Sequence, residues 1–97
     1  PENRVFRQML GDAYKSQNFW QKARVEYLKS ESEYKKVALG SVRHVSALGN
    51  LILISKALGS KDLSTWKKEY LKYIDRVEDE IPLSLIEELD AVNAFDS

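Results

Sequence analysis

The sequence predicts an all-α protein built of antiparallel helix-turn-helix pairs, about five helices in total. Three observations predict it. Apolar residues recur at three- and four-residue steps along almost the whole chain, the period of one helical face. No stretch alternates apolar and polar residues as a half-buried strand would. The breaks in the helical pattern fall at short clusters of Ser, Asn, Gly, Asp and Pro, which cap helices and make turns.

The first helix runs from Glu2 to Ser16, with Val5, Phe6, Met9, Leu10, Ala13 and Tyr14 as its apolar stripe. Ser16-Gln17-Asn18 breaks that stripe and is expected to cap the helix that follows. The second helix carries Phe19, Trp20, Ala23, Tyr27, Leu28, Tyr34, Val37 and Ala38, and Gly40 closes it. Ser41 then caps a third helix over Val42 to Leu58. Leu48, Leu51, Ile52, Leu53 and Ile54 leave this helix without a polar face, which predicts a central position. Gly59-Ser60-Lys61-Asp62 makes a turn into a fourth helix from about Leu63 to Asp79, with Trp66, Tyr70, Leu71, Ile74 and Val77 on its stripe. Pro82 suits the first turn of a fifth helix, about 83–95, whose stripe is Leu85, Ile86, Leu89, Val92 and Phe95.

The composition bounds what such a bundle does. With 97 residues, 43% of them apolar and 10% aromatic, the chain has the make-up of one small globular domain. A chain beginning at Pro1 reads as a piece of a longer protein. No apolar run approaches the roughly 20 residues of a membrane span, so no membrane partner is expected. The absence of cysteine excludes disulfides and thiolate metal sites and fits a reducing, cytoplasmic setting. Formal net charge is zero but unevenly spread: residues 1–76 hold all 15 Lys and Arg with 8 acids, and residues 77–97 hold 7 acids alone. The simplest expectation is a basic body neutralised by its own acidic tail.

Catalytic chemistry finds little to work with, so neither an enzyme nor a bound cofactor is expected. His44 is the only histidine, and a lone His among apolar residues is more often packed than ligating. Glu78-Asp79-Glu80 and Glu87-Glu88-Asp90 lack the residue order of a calcium loop and read as solvated faces. There is no nucleophile elbow and no glycine-rich phosphate loop.

Leu10, Gly11, Tyr14, Ala23 and Tyr27 stand at the spacing L-G-x2-Y followed by A-x3-Y. This stretch resembles the tetratricopeptide repeat family. Leu48-Gly49 repeats Leu10-Gly11 38 residues later, and Trp66, with Tyr73 after it, echoes Trp20 and Tyr27. Glu69 replaces the small alanine there, and the second repeat's first helix is about two turns longer. The resemblance implies one domain of two divergent repeats, about 4–38 and 42–80, with residues 83–95 as a capping helix. It also implies that Gly11 and Ala23 are close-contact points between helices, with Tyr14, Trp20 and Tyr27 packed around them.

By the same resemblance, the first helix of each repeat lines a groove that receives a peptide or helix of a protein partner. Its groove positions are Gln8, Asp12 and Lys15, then Arg43, Ser46 and Asn50. The family's capture of chaperone carboxylate tails is disfavoured, because Asp12 would repel a carboxylate. Two repeats and a cap make a short stack, which points to self-association or docking onto the rest of the chain, with Leu53 and Ile54 as the exposed apolar surface.

Two other classes compete with this module for binding proteins. Lys22, Arg24, Lys29, Lys35 and Lys36 could present a basic face to nucleic acid. The interleaved Glu26, Glu31 and Glu33 argue for intrahelical pairs instead. His44 to Ser55 followed by Trp66 to Leu71 also resembles the tail of certain HNH-type nucleases, with Gly49, Asn50 and Leu51 as the match. The strand hairpin and catalytic His of that family have no counterpart upstream.

Overall fold

The computed structural model describes residues 2–96, with side chains from residue 5 onward. Its elements are α1 (Glu2–Ser16), α2 (Trp20–Val37), α3 (Val42–Leu58), α4 (Leu63–Tyr73) and α5 (Leu83–Ala91), with 3₁₀ turns at Ile74–Arg76 and Glu78–Glu80. The protein is all-α, and no strand occurs among the described residues.

Three helices end the same way. Asn18, Gly59 and Asn93 each adopt a left-handed backbone, with φ of 62°, 64° and 52°. Beside each, an N–H reaches back five residues: Phe19 to Tyr14, Ser60 to Ser55, and Ala94 to Leu89. These are Schellman ends, which satisfy carbonyls a helix otherwise leaves open. Asn18 therefore terminates α1 rather than capping α2, whose N-cap, Phe19, has no side-chain bond. The expected cap at Ser41 is present, its hydroxyl accepting the His44 N–H at 3.2 Å. Gly40, at φ 75°, makes the bend between α2 and α3, while α2 itself stops at Val37.

The fourth helix is shorter than its stripe predicts. It ends at Tyr73, and the two 3₁₀ turns carry the chain to Ile81. Consecutive acids Glu78, Asp79 and Glu80 at a helix C-terminus oppose its dipole, and Pro82 pushes Ile81 out of helical geometry (ψ 135°). The fifth helix likewise closes at Ala91, because Asn93 turns the chain through the left-handed region.

Contacts fix the directions. Arg7 pairs with Glu33, Gly11 meets Tyr27, and Tyr14 meets Phe19, so α1 and α2 run antiparallel. Likewise Gly49 meets Tyr70 and Ser55 meets Asp62, so α3 and α4 are antiparallel. Gly49 also meets Leu85, and Lys56 reaches the Val92 carbonyl, so α5 lies parallel to α3. The central position of α3 follows: every residue from His44 to Ser55 is buried. One side of α3 packs Val45, Leu48 and Ile52 against Tyr70, Ile74, Leu85 and Leu89. The other packs Leu51 and Ile54 against Ala23 and Tyr27, with Tyr14, Trp20 and Trp66 around them.

Two expectations need correction. Ile54 is fully buried and Leu53 8% exposed, so neither forms an outer surface; the exposed large apolar side chains include Phe6, Met9 and Leu83. The packing of α3 on α2, α4 and α5 takes both side chains into the core. Tyr73 is also not the counterpart of Tyr27. Tyr70 faces Gly49, while Tyr73 packs on Gly40 and His44, because α4 meets α3 in a register one helical turn away from the sequence echo.

The charge distribution is only partly internal. Among the described residues Lys15–Glu88 is the one ion pair joining the basic body to the acidic tail. The other Lys and Arg pairs, Arg7–Glu33, Arg24–Asp62, Lys35–Glu69 and Lys72–Glu69, lie within the body.

Candidate functional site

Helix α1 and helix α3 run side by side with the same polarity, and α5 forms the third wall. Between them lies an open cleft of about 520 Å³. Gln8, Asp12, Lys15, Arg43, Ser46 and Asn50, all six residues expected to face a groove, line it. The spacing explains the convergence: steps of three and four residues keep each trio on one face of its helix.

The floor is polar and closely bonded. Lys15 Nζ donates to Asn50 Oδ1 at 2.6 Å and to Glu88 Oε1 at 3.1 Å. Asn50 Nδ2 donates to the Ser46 carbonyl at 3.0 Å. Asp12 accepts the Tyr27 hydroxyl, which comes through from α2 behind it. Burial, and after it the Asp12 carboxylate, push that hydroxyl well above the ordinary tyrosine range, so it stays a donor. Gln8 is nine-tenths buried, and its Oε1 accepts no hydrogen bond.

Sequence spacing gave no sign of α5's contribution. Glu80, Pro82, Leu85 and Glu88 complete the cleft, and Glu88 sits 73 residues from Lys15. Beyond the Lys15–Glu88 bridge the groove continues as an apolar hollow walled by Trp20, Leu53, Ala57 and Val92.

His44 lies outside the cleft and fully buried. The Gly40 N–H donates to its Nδ1 at 3.0 Å, which requires a lone pair there and puts the ring hydrogen on Nε2. Nε2 then donates to Glu31 at 2.9 Å, tying α2 to α3. Among the described residues, no three His, Asp or Glu side chains are grouped to hold a metal ion.

The basic face proposed for α2 is partly spent. Arg24 is bonded to Asp62 at 2.6 Å, Lys35 lies 3.8 Å from Glu69, and Lys22 sits over the Tyr14 and Phe19 rings. Gly49, Asn50 and Leu51 lie in the middle of α3. No helix among the described residues is long and apolar enough to cross a membrane.

The chain matches no protein-family model, no curated protein and no solved structure.

Proposed function

We propose that the protein is a non-catalytic module of tetratricopeptide type, which binds a peptide or helix of a partner protein in the cleft between α1, α3 and α5. The observation that supports this most is the convergence of Gln8, Asp12, Lys15, Arg43, Ser46 and Asn50 on one open cleft. A glycine inside α1 and another inside α3 support it too: Gly11 and Gly49 admit Tyr27 and Tyr70 as close as a repeat stack needs. A cytoplasmic setting belongs to the same reading.

The test is capture of partners from source lysate by the wild type and by an Asp12→Lys, Arg43→Glu variant. Both side chains are exposed, but Asp12 also holds the buried Tyr27 hydroxyl, so helical circular dichroism is the control that the variant is folded. A partner held by the wild type and released by the folded variant supports the cleft. Equal capture by both moves the interface elsewhere.

A further inference from the structure

We infer that the ligand of this cleft presents a basic side chain, an arginine, to the pair formed by Gln8 Oε1 and the Asp12 carboxylate. The inference rests on the cleft reading above and adds the chemistry of what is bound.

Four of the six groove residues are separated by their bonding. Lys15 is committed to Asn50 and Glu88, so it is not a free cation for an incoming anion. Asn50 is committed in turn, its oxygen to Lys15 and its nitrogen to the Ser46 carbonyl. What remains unused is acceptor capacity. Gln8 Oε1 is buried without a donor, an arrangement that native structures rarely leave unexplained. Asp12, one turn further along α1 and exposed, has one oxygen on Tyr27 and a second available. Residues at i and i+4 are neighbours on a helix face. Gln8 itself lines the cleft, so this orphaned acceptor belongs to the cleft wall.

Two neighbouring acceptors, one of them charged, suit a guanidinium, whose rigid fork presents parallel N–H groups. Glu80, on the opposite wall, adds negative charge. Arg43 is the opposing charge on the same lining and forms no ion pair among the described residues. It is exposed and therefore screened, whereas Gln8 is desolvated, so the buried acceptor sets the preference.

The experiment is a titration of the ¹⁵N-labelled chain with acetyl-Ala-Arg-Ala-amide, followed by amide chemical shifts. The same peptide with citrulline, lysine or glutamate in place of arginine gives the comparison. Saturable shifts at residues 8, 12 and 43–46 are expected, strongest with arginine and weaker with uncharged citrulline. Gln8→Met, which keeps the volume but removes the acceptor, should weaken arginine binding about tenfold; Gln8→Glu should tighten it. Spectral dispersion shows that each variant is folded. Binding of the glutamate peptide as tightly as the arginine peptide, no saturable shift at these residues, or indifference to Gln8→Met overturns the inference. If a lysate partner is released by Asp12→Lys, Arg43→Glu while the arginine peptide binds nowhere, the cleft reading stands and this one falls.

Discussion

The ring of Tyr27 occupies the space that a side chain at Gly11 would need: a Cβ there would fall 3.0 Å from Cε1 and 3.1 Å from Cζ. Tyr27 cannot retreat easily, since it is fully buried and its hydroxyl is held by Asp12. Alanine is worth about 1 kcal/mol more than glycine inside a helix, but here the clash outweighs that gain. Gly11→Ala should lower stability by about 1 kcal/mol and Gly11→Val by about 3 kcal/mol, the range for overpacking. At Gly49 the nearest atom is Leu85 Cδ2, the tip of a side chain, at 3.1 Å. Gly49→Ala should therefore cost less than Gly11→Ala. Urea unfolding of the two alanine variants checks the order.

The buried His44–Glu31 bond couples α2 to α3. His44→Leu leaves the Glu31 carboxylate, 7% exposed, without its imidazole, and should cost about 3 kcal/mol. The double variant His44→Leu, Glu31→Leu should recover much of that loss. A double-mutant cycle in thermal or urea unfolding measures the coupling.

Asp62 gathers three elements. It accepts Arg24 of α2 at 2.6 Å, Ser55 of α3 at 3.1 Å, and Ser60 of the intervening turn. Partial burial works to raise its carboxyl, but these hydrogen bonds outweigh it and bring the pKa down to about 2. A pKa lowered by folding stabilises the native state above the unfolded value and loses that contribution as pH falls towards the folded one. The window is thus about pH 4 down to pH 2. Allowing for solvent screening, Asp62→Asn should cost about 1 kcal/mol at pH 5. Near pH 2 the variant and wild type should converge, as urea midpoints at the two pH values would show.

Leu85 is 4% exposed and seals the α5 wall of the cleft against Gly49 and Tyr70. Leu85→Ala should cost about 3 kcal/mol, within the range of buried Leu-to-Ala changes. Urea unfolding of the variant against the wild type measures the loss.

Helix boundaries set by local chemistry were legible in the sequence. Ser41 and Gly59 bracket α3 at the residues their capping roles predict. The trios of α1 and α3 came from the repeat resemblance, and spacing of three and four residues keeps each trio on one face of its own helix, where both line the cleft. Legibility ended where the outcome depends on how helices meet. The register of α4 on α3 is chosen by Gly49 accepting Tyr70, and a sequence echo that aligned Tyr73 with Tyr27 could not see it. Asn18 was ambiguous for another reason: asparagine suits both an N-cap and a left-handed helix end. The wall supplied by α5 had no signal at all, since nothing near Glu88 in the chain marks Lys15 as its partner.

Stacked helical pairs ordinarily touch only their neighbours and can fray from either end. The Lys15–Glu88 bridge departs from that pattern, because it fastens the first helix to the last. With α5 also seated on α3, α1 and α5 are joined both directly and through α3. The consequence is a single cooperative melt: exchange protection should be lost in α1 and α5 together, and a protease should find no early cut that leaves a folded half.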